Sequence, residues 1–266
     1  MDLGLTGRVA VVTGGSRGIG KAVARALARE GADVALIARN MADANAAAQQ
    51  IATESGRTVR AYSADTGDIA QVQTAFAQIV KAFGRLDVLV NCAAQVAGQA
   101  PAPKFAEIGN ENFWAEMNVK VLGYLRCAQA AVPHMQKARW GRIVNISGLA
   151  ARSTGSIIGT IRNISVAALT KNLADELGPM GINVTCVHPG LTRTEKTAGA
   201  AQRRAEAAGV TTEEIERRMA DGNTIRHLVT AEEVADVVAF LASPKSIAIN
   251  GDAIAAGGGI PGAIYY

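Results

Sequence analysis

The sequence predicts an α/β fold: one doubly wound parallel sheet with helices on both faces. Three observations carry that expectation. Short β-branched runs alternate with segments of helical period along the whole chain. The strand-length runs are apolar at successive positions, as strands covered on both faces are. The first run passes directly into a glycine-rich turn and then a helix.

Residues 9–12 form the first expected strand. Residues 18–30 follow as a helix, with Ile19, Val23, Ala26 and Leu27 at 3.6-residue spacing. Further strands are expected at 34–38, 58–62, 88–90, 142–146, 182–187 and 253–255. Helices are expected at 42–53, 69–83, 105–137 as one long stretch, 160–178 and 232–242. Right-handed crossovers between parallel strands place a ligand site at their C-terminal ends, near the point where strand order reverses. Residues 191–226 are rich in Ala, Arg and Glu and sit between a strand and the last helix. They read as a substrate lid within a single domain over 1–266. Arg203, Arg204, Arg217 and Arg218 in that lid face either an anionic substrate or water.

Composition limits the function classes. The 266 residues are 49% apolar, 19% charged and only 4% aromatic, which supports a buried core and argues against a base-stacking nucleic-acid surface. The net charge of +4 is dispersed along the chain, so no basic tract for nucleic acid or membrane stands out. Cys92, Cys127 and Cys186 follow no metal-ligand spacing, and their odd number fits a reducing compartment. No metal is expected. Charged residues and glycines interrupt every apolar stretch, and the first residues lack a signal-peptide core, so a soluble cytoplasmic protein is expected.

Thr13-Gly14-Gly15-Ser16-Arg17-Gly18-Ile19-Gly20 lies between the first strand and the first helix. Glycines there permit a sharp turn and close backbone approach, and the helix N-terminus offers free N–H groups to a pyrophosphate. With this loop the chain resembles the short-chain dehydrogenase/reductase family, over roughly residues 5–259. The resemblance rests on further matches. Asp65 stands at the adenine-binding Asp, and Asn91-Cys92-Ala93-Ala94 replaces the usual Asn-Asn-Ala-Gly. Asn118 matches the helix Asn that kinks the backbone and holds a water. Ser147 matches the catalytic Ser. Pro189-Gly190-Leu191-Thr192-Arg193-Thr194 matches the segment that clamps the nicotinamide carboxamide. The resemblance implies a Rossmann-type fold and a nicotinamide dinucleotide. It makes Gly14, Ser16, Arg17, Gly18, Ile19, Gly20, Arg39, Asn40, Asp65, Thr66, Asn91, Ala93, Pro189, Gly190, Thr192 and Thr194 its binding set, with Ser147 and Asn118 in the catalytic set.

The second strand ends Ala38-Arg39-Asn40 with no carboxylate for a ribose 2′-OH. Arg17 and Arg39 offer guanidinium forks suited to a 2′-phosphate, so NADP is expected over NAD.

The family's chemistry also needs a Tyr and, one helical turn later, a Lys. Leu169-Thr170-Lys171 and Glu176-Leu177-Gly178 register the helix and put those positions at Gly159 and Asn163. No tyrosine lies between Tyr124 and Tyr265. Removal of a general acid is worth roughly two to four powers of ten in rate. Candidate replacements are Arg162, His188 and, from a neighbouring subunit, Tyr265 or Tyr266. For Arg162 and His188 an ion-pairing and a packed structural role are the plainer readings.

Three functions therefore stand open. The first is an NADP-dependent oxidoreductase of small or medium carbonyls and alcohols with an altered catalytic apparatus. The second is a catalytically silent dinucleotide binder. The third is non-redox, lyase-type chemistry in the vacated pocket. The helix after Ser147 carries Ser165, Leu169, Leu173 and Leu177 at four-residue spacing beside Val166, Ala167 and Ala168. That excess of apolar stripe predicts a homo-oligomer, tetramer or dimer. The segment after Asp252 has no charge and contains Ile260 and Ile264, so it is expected to dock on the lid or a partner subunit.

Overall fold

The computed structural model describes residues 2–94, 102–262 and 264. Seven parallel strands form one sheet in the order β3-β2-β1-β4-β5-β6-β7. They are β1 (Val9–Thr13), β2 (Asp33–Ala38), β3 (Val59–Ser63), β4 (Val88–Asn91), β5 (Gly141–Ile146), β6 (Ile182–Pro189) and β7 (Ala253–Ala256). β1, β4, β5 and β6 are buried along their whole length, which is why their sequences are apolar without alternation.

Helices α1 (Gly18–Arg29), α2 (Met41–Ser55) and α9 (Ala231–Leu241) cover one face of the sheet. Val23, Leu27, Ile51, Val234 and Val238 pack there against β1 and β2 side chains. α3 (Ile69–Phe83), α5 (Gly123–Ala138) and α6 (Ile157–Leu177) cover the other, with Phe76, Ile79, Met135 and Leu177 in the core. The helix starts follow local chemistry. Asn40, Asp68, Ser156, Thr194 and Thr230 each cap a first turn by accepting backbone N–H groups.

Two expectations change in detail. The long helix expected over 105–137 is divided. α4 (Asn110–Met117) passes through a π-helical turn, Asn118–Leu122, into α5. The expected lid folds as two helices, α7 (Glu195–Ala208) and α8 (Thr212–Ala220), which pack on each other through Ala201, Ala205 and Ile215. Arg217 and Arg218 pair with Glu214 on the outer side of α8. Among the described residues no helix is long and apolar enough to cross a membrane.

Candidate functional site

The strand order reverses between β1 and β4, and the sheet opens a crevice there. The Thr13 hydroxyl fastens the two strand ends together. Its oxygen accepts the N–H groups of Cys92 at 3.0 Å and Ala93 at 3.1 Å. A cavity of about 510 Å3 opens beside them. Gly14, Ser16, Arg17, Gly18, Ile19 and Gly20 line it, as do Arg39, Asn40, Asp65, Thr66, Ala93 and Thr194. Cys92 also lines it, as do Asp43, Val119, Glu195 and Lys196, four residues not singled out by sequence reasoning.

The glycine turn fits a dinucleotide. A Cβ at Gly20 would lie 2.3 Å from the Gly14 carbonyl oxygen, so only glycine lets the helix approach the turn this closely. Gly14 and Gly18 have φ of +68° and +54°, in the left-handed region. Arg17 leaves the start of α1 without a side-chain cap. One of its free N–H groups, that of Gly18, donates to the Glu195 carboxylate at 3.1 Å. A helix terminus that already holds a carboxylate has the polarity a pyrophosphate needs.

Other members of the expected binding set sit behind the cavity wall. Asn91 is fully buried, and its amide donates to Asn145 Oδ1 at 2.9 Å, tying β4 to β5. Pro189 ends buried β6, and the Thr192 hydroxyl donates to the Gly190 carbonyl. Gly190 lies against Gly257, where a Cβ would come within 2.9 Å of the Gly257 Cα. From that run it is Thr194 that reaches the cavity. Asn40 accepts the Ala42 and Asp43 N–H groups as the cap of α2, and Arg39 lies 3.9 Å from Asp65.

The π turn rearranges the expected catalytic set. It frees carbonyls that a regular helix would satisfy. Arg126 donates to the Asn118 carbonyl, and the Thr66 hydroxyl donates to that of Val119. The Asn118 side chain turns to the Gly67 carbonyl at 3.2 Å. The residue of this turn that reaches Ser147 is Lys120. Its ammonium donates to the Ser147 carbonyl at 2.9 Å and to Asn163 Oδ1 at 3.0 Å. The Ser147 hydroxyl donates to the Asn163 carbonyl at 2.9 Å. Burial, reinforced by the Arg162 charge, brings the Lys120 pKa down to about 7.

The side chains of Arg162 and His188 are engaged in contacts of their own. Gly159, expected at the tyrosine position, lies in the first turn of α6, and its N–H donates to Ser156 Oγ at 3.1 Å. Arg162 is buried and paired with Glu116. The His188 Nδ1 accepts the Gly148 N–H at 3.3 Å, and burial lowers its pKa to about 4, so the ring is neutral at pH 7. Tyr124 donates to the Ile146 carbonyl at 2.9 Å, and burial raises its pKa well above 10, so it keeps its proton. Burial also raises the Cys92 thiol to about 11, which removes it as a nucleophile at neutral pH. Tyr265 and Tyr266 lie outside the described residues.

Comparison with known proteins agrees with this architecture. The family model described as Enoyl-(Acyl carrier protein) reductase matches residues 14–261. The chain belongs to the short-chain dehydrogenase/reductase family. It is similar to the short-chain reductase protein NovJ of Streptomyces niveus, at 34% identity over 95% of this chain and 94% of the relative. Similarity to the 3-oxoacyl-[acyl-carrier-protein] reductase FabG of Aquifex aeolicus is 31% over 98% of this chain and 100% of the relative. Among solved structures, the L-sorbose reductase of Gluconobacter frateurii, complexed with NADPH and L-sorbose, superposes with a TM-score of 0.92. It is 28% identical and covers 99% of this chain and 100% of its own. For a short-chain dehydrogenase/reductase, the cavity lies where the strand order places a cofactor.

Proposed function

We propose that the chain is an NADP(H)-dependent oxidoreductase that interconverts a small or medium carbonyl compound and its alcohol, using an altered set of catalytic residues. The observation that carries this reading is the cavity at the switch point and the turn that borders it. The glycine-lined cavity at the switch point is bordered by Cys92 and Val119, and Val119 directly precedes Lys120, whose ammonium donates to the Ser147 carbonyl. Gly14, Gly18 and Gly20 would hold the pyrophosphate. Arg17 and the exposed Arg39, with no carboxylate at the end of β2, favour a 2′-phosphate. NADPH in a related reductase of 28% identity supports the same choice. When bound, the cofactor supplies or accepts hydride.

A second reading, a silent dinucleotide binder, is favoured by Gly159, which puts no acid at the tyrosine position. One experiment separates the two. NADPH and NADH binding is measured by fluorescence on wild type and Arg39→Ala, followed by absorbance at 340 nm with a panel of ketoses and 3-oxoacyl thioesters. The oxidoreductase binds NADPH more tightly, loses that preference with Arg39→Ala, and oxidises NADPH with at least one carbonyl. A silent binder shows only the first two results. Equal affinity for both dinucleotides, unchanged by the substitution, removes the NADP assignment.

We also propose a homo-oligomer in the cytoplasm. The three cysteines are unpaired thiols, in keeping with a reducing compartment. The apolar stripe open to a partner is Ile157, Ile161 and Ile164 of α6, exposed by 47%, 40% and 48%.

A further inference from the structure

We propose that Lys120 is the proton-carrying cation of this pocket, delivered from the π turn to the place that Asn163 leaves without a lysine. The proposal rests on the oxidoreductase reading above and goes beyond it by assigning the missing acid. Position 163 is where the helix register puts the cation, and an asparagine stands there. The Lys120 ammonium lies 3.0 Å from that asparagine's Oδ1 and 2.9 Å from the Ser147 carbonyl. Lysine and asparagine thus make the contact from two different helical elements. The side chain comes from a different element, but the charge arrives beside the same residue.

Lys120 is a costly residue to keep if it only packs. It is 5% exposed, and no carboxylate is bonded to its ammonium among the described residues. The charged and titratable groups around it are Glu116 on α4, Arg162 on α6, Cys92 after β4, and Cys186 and His188 on β6. Glu116 is engaged by Arg162, and both thiols and His188 are neutral at pH 7. The surroundings therefore offer no full counter-charge, and the amine titrates near neutrality. Two of its three N–H donors have acceptors among the described residues, and the third would serve a ligand oxygen. Cys92 and Val119, on the way to it, both line the cavity.

The step balances as follows. Hydride for the carbonyl carbon would come from the reduced dinucleotide, which would leave oxidised. The carbonyl oxygen takes a proton from the Lys120 ammonium; one N–H bond breaks and one O–H bond forms. The neutral amine then regains a proton from solvent. An amine titrating near neutral pH is suited to both halves of that cycle.

The test uses the full chain labelled with 13C at the lysine ε carbons, NADP+ and NADPH as ligands, and the variants Lys120→Met and Lys120→Asn/Asn163→Lys. One lysine signal should titrate near pH 7, be missing in Lys120→Met, and shift on saturation with NADP+. NADPH binding at pH 6 should weaken about tenfold in Lys120→Met and recover in the exchanged double variant. At pH 9, wild type and Lys120→Met should bind alike, because the amine is then neutral. For any carbonyl the wild type reduces, the rate should fall above pH 7, and Lys120→Met should be slow and lack that limb. A Lys120 signal titrating near pH 10, or unmoved by NADP+, overturns the assignment while leaving the oxidoreductase reading intact. So does a Lys120→Met variant that binds and reduces like wild type at every pH. A wild type that binds neither dinucleotide overturns both. If Lys120→Met does not fold, the exchanged variant decides by the same readouts.

Discussion

At the scale of single residues, burial sets the protonation of this site. Folding lowers the Lys120 pKa from 10.5 to about 7. Between those two values the unfolded chain holds more protons than the folded one, so this group makes stability rise with pH. Below pH 7 both states are protonated and its cost is complete. Lys120→Met should therefore flatten the pH dependence of unfolding by urea, by about 2 kcal/mol between pH 7 and pH 9. His188 acts in the same direction over a lower window, with stability rising from about pH 4 to 6.5 as the unfolded ring loses its proton. Placing a tyrosine and a lysine at the two positions registered by spacing meets local obstacles. Asn163→Lys alone places a second ammonium against Lys120 and should lower the melting temperature, and adding Lys120→Asn should restore it. A Cβ at Gly159 would lie 2.8 Å from Ser156 Oγ, the cap of α6. Gly159→Tyr should then cost about 1 kcal/mol through loss of the cap. In the Lys120→Asn/Asn163→Lys background that tyrosine should raise NADPH-linked carbonyl reduction, read at 340 nm.

At the scale of elements, helix termini and one irregular turn build the site. The Glu195 carboxylate at the start of α7 occupies the Gly18 N–H at the start of α1. A phosphate group would compete for that donor and be repelled by the carboxylate. Glu195→Gln should tighten NADPH binding several-fold, more at low salt than at high, as titration calorimetry at two ionic strengths would read. The π turn has a similar importance. It breaks one long helix, sends Asn118 to Gly67 and turns Lys120 inward. The uncharged C-terminal segment begins as expected on the lid side. The Thr224 N–H donates to the Gly259 carbonyl at 3.0 Å and the Ile225 N–H to that of Gly258 at 3.3 Å. Ile264 beyond it is 82% exposed.

At the scale of the whole molecule, α6 links site and surface. Of the apolar stripes read on this helix, Leu169, Leu173 and Leu177 face inward. Leu177 is buried in the core, and Leu169 and Leu173 pack at its margin. The exposed stripe is Ile157, Ile161 and Ile164, one turn apart at the end of the helix nearest Asn163. Three half-exposed isoleucines on one helix face favour burial against a second copy. Light scattering at micromolar concentration should give a dimer or tetramer, and Ile161→Glu should shift it toward monomer. A monomeric wild type would remove the oligomer.

The doubly wound parallel sheet and a ligand site at its strand ends were legible in the sequence because they follow from local rules. Strands buried on both faces read as continuous apolar runs, and a glycine turn between strand and helix has few other uses. Asn40 and Thr194 were placed on the cavity by the same reading. What the sequence could not settle is which side chains converge at Ser147. Gly159 and Asn163 lie on one helix and were registered by spacing. Lys120 lies 43 positions before Asn163 and meets it through a π turn that shifts the helix phase. A lysine among Val119, Val121 and Leu122 was the available signal, but on a regular helix it reads as a surface charge. Helical period is a property of neighbours in the chain. The contact that places the ammonium beside Asn163 depends on how two distant helices pack on one sheet, and only the tertiary structure decides that.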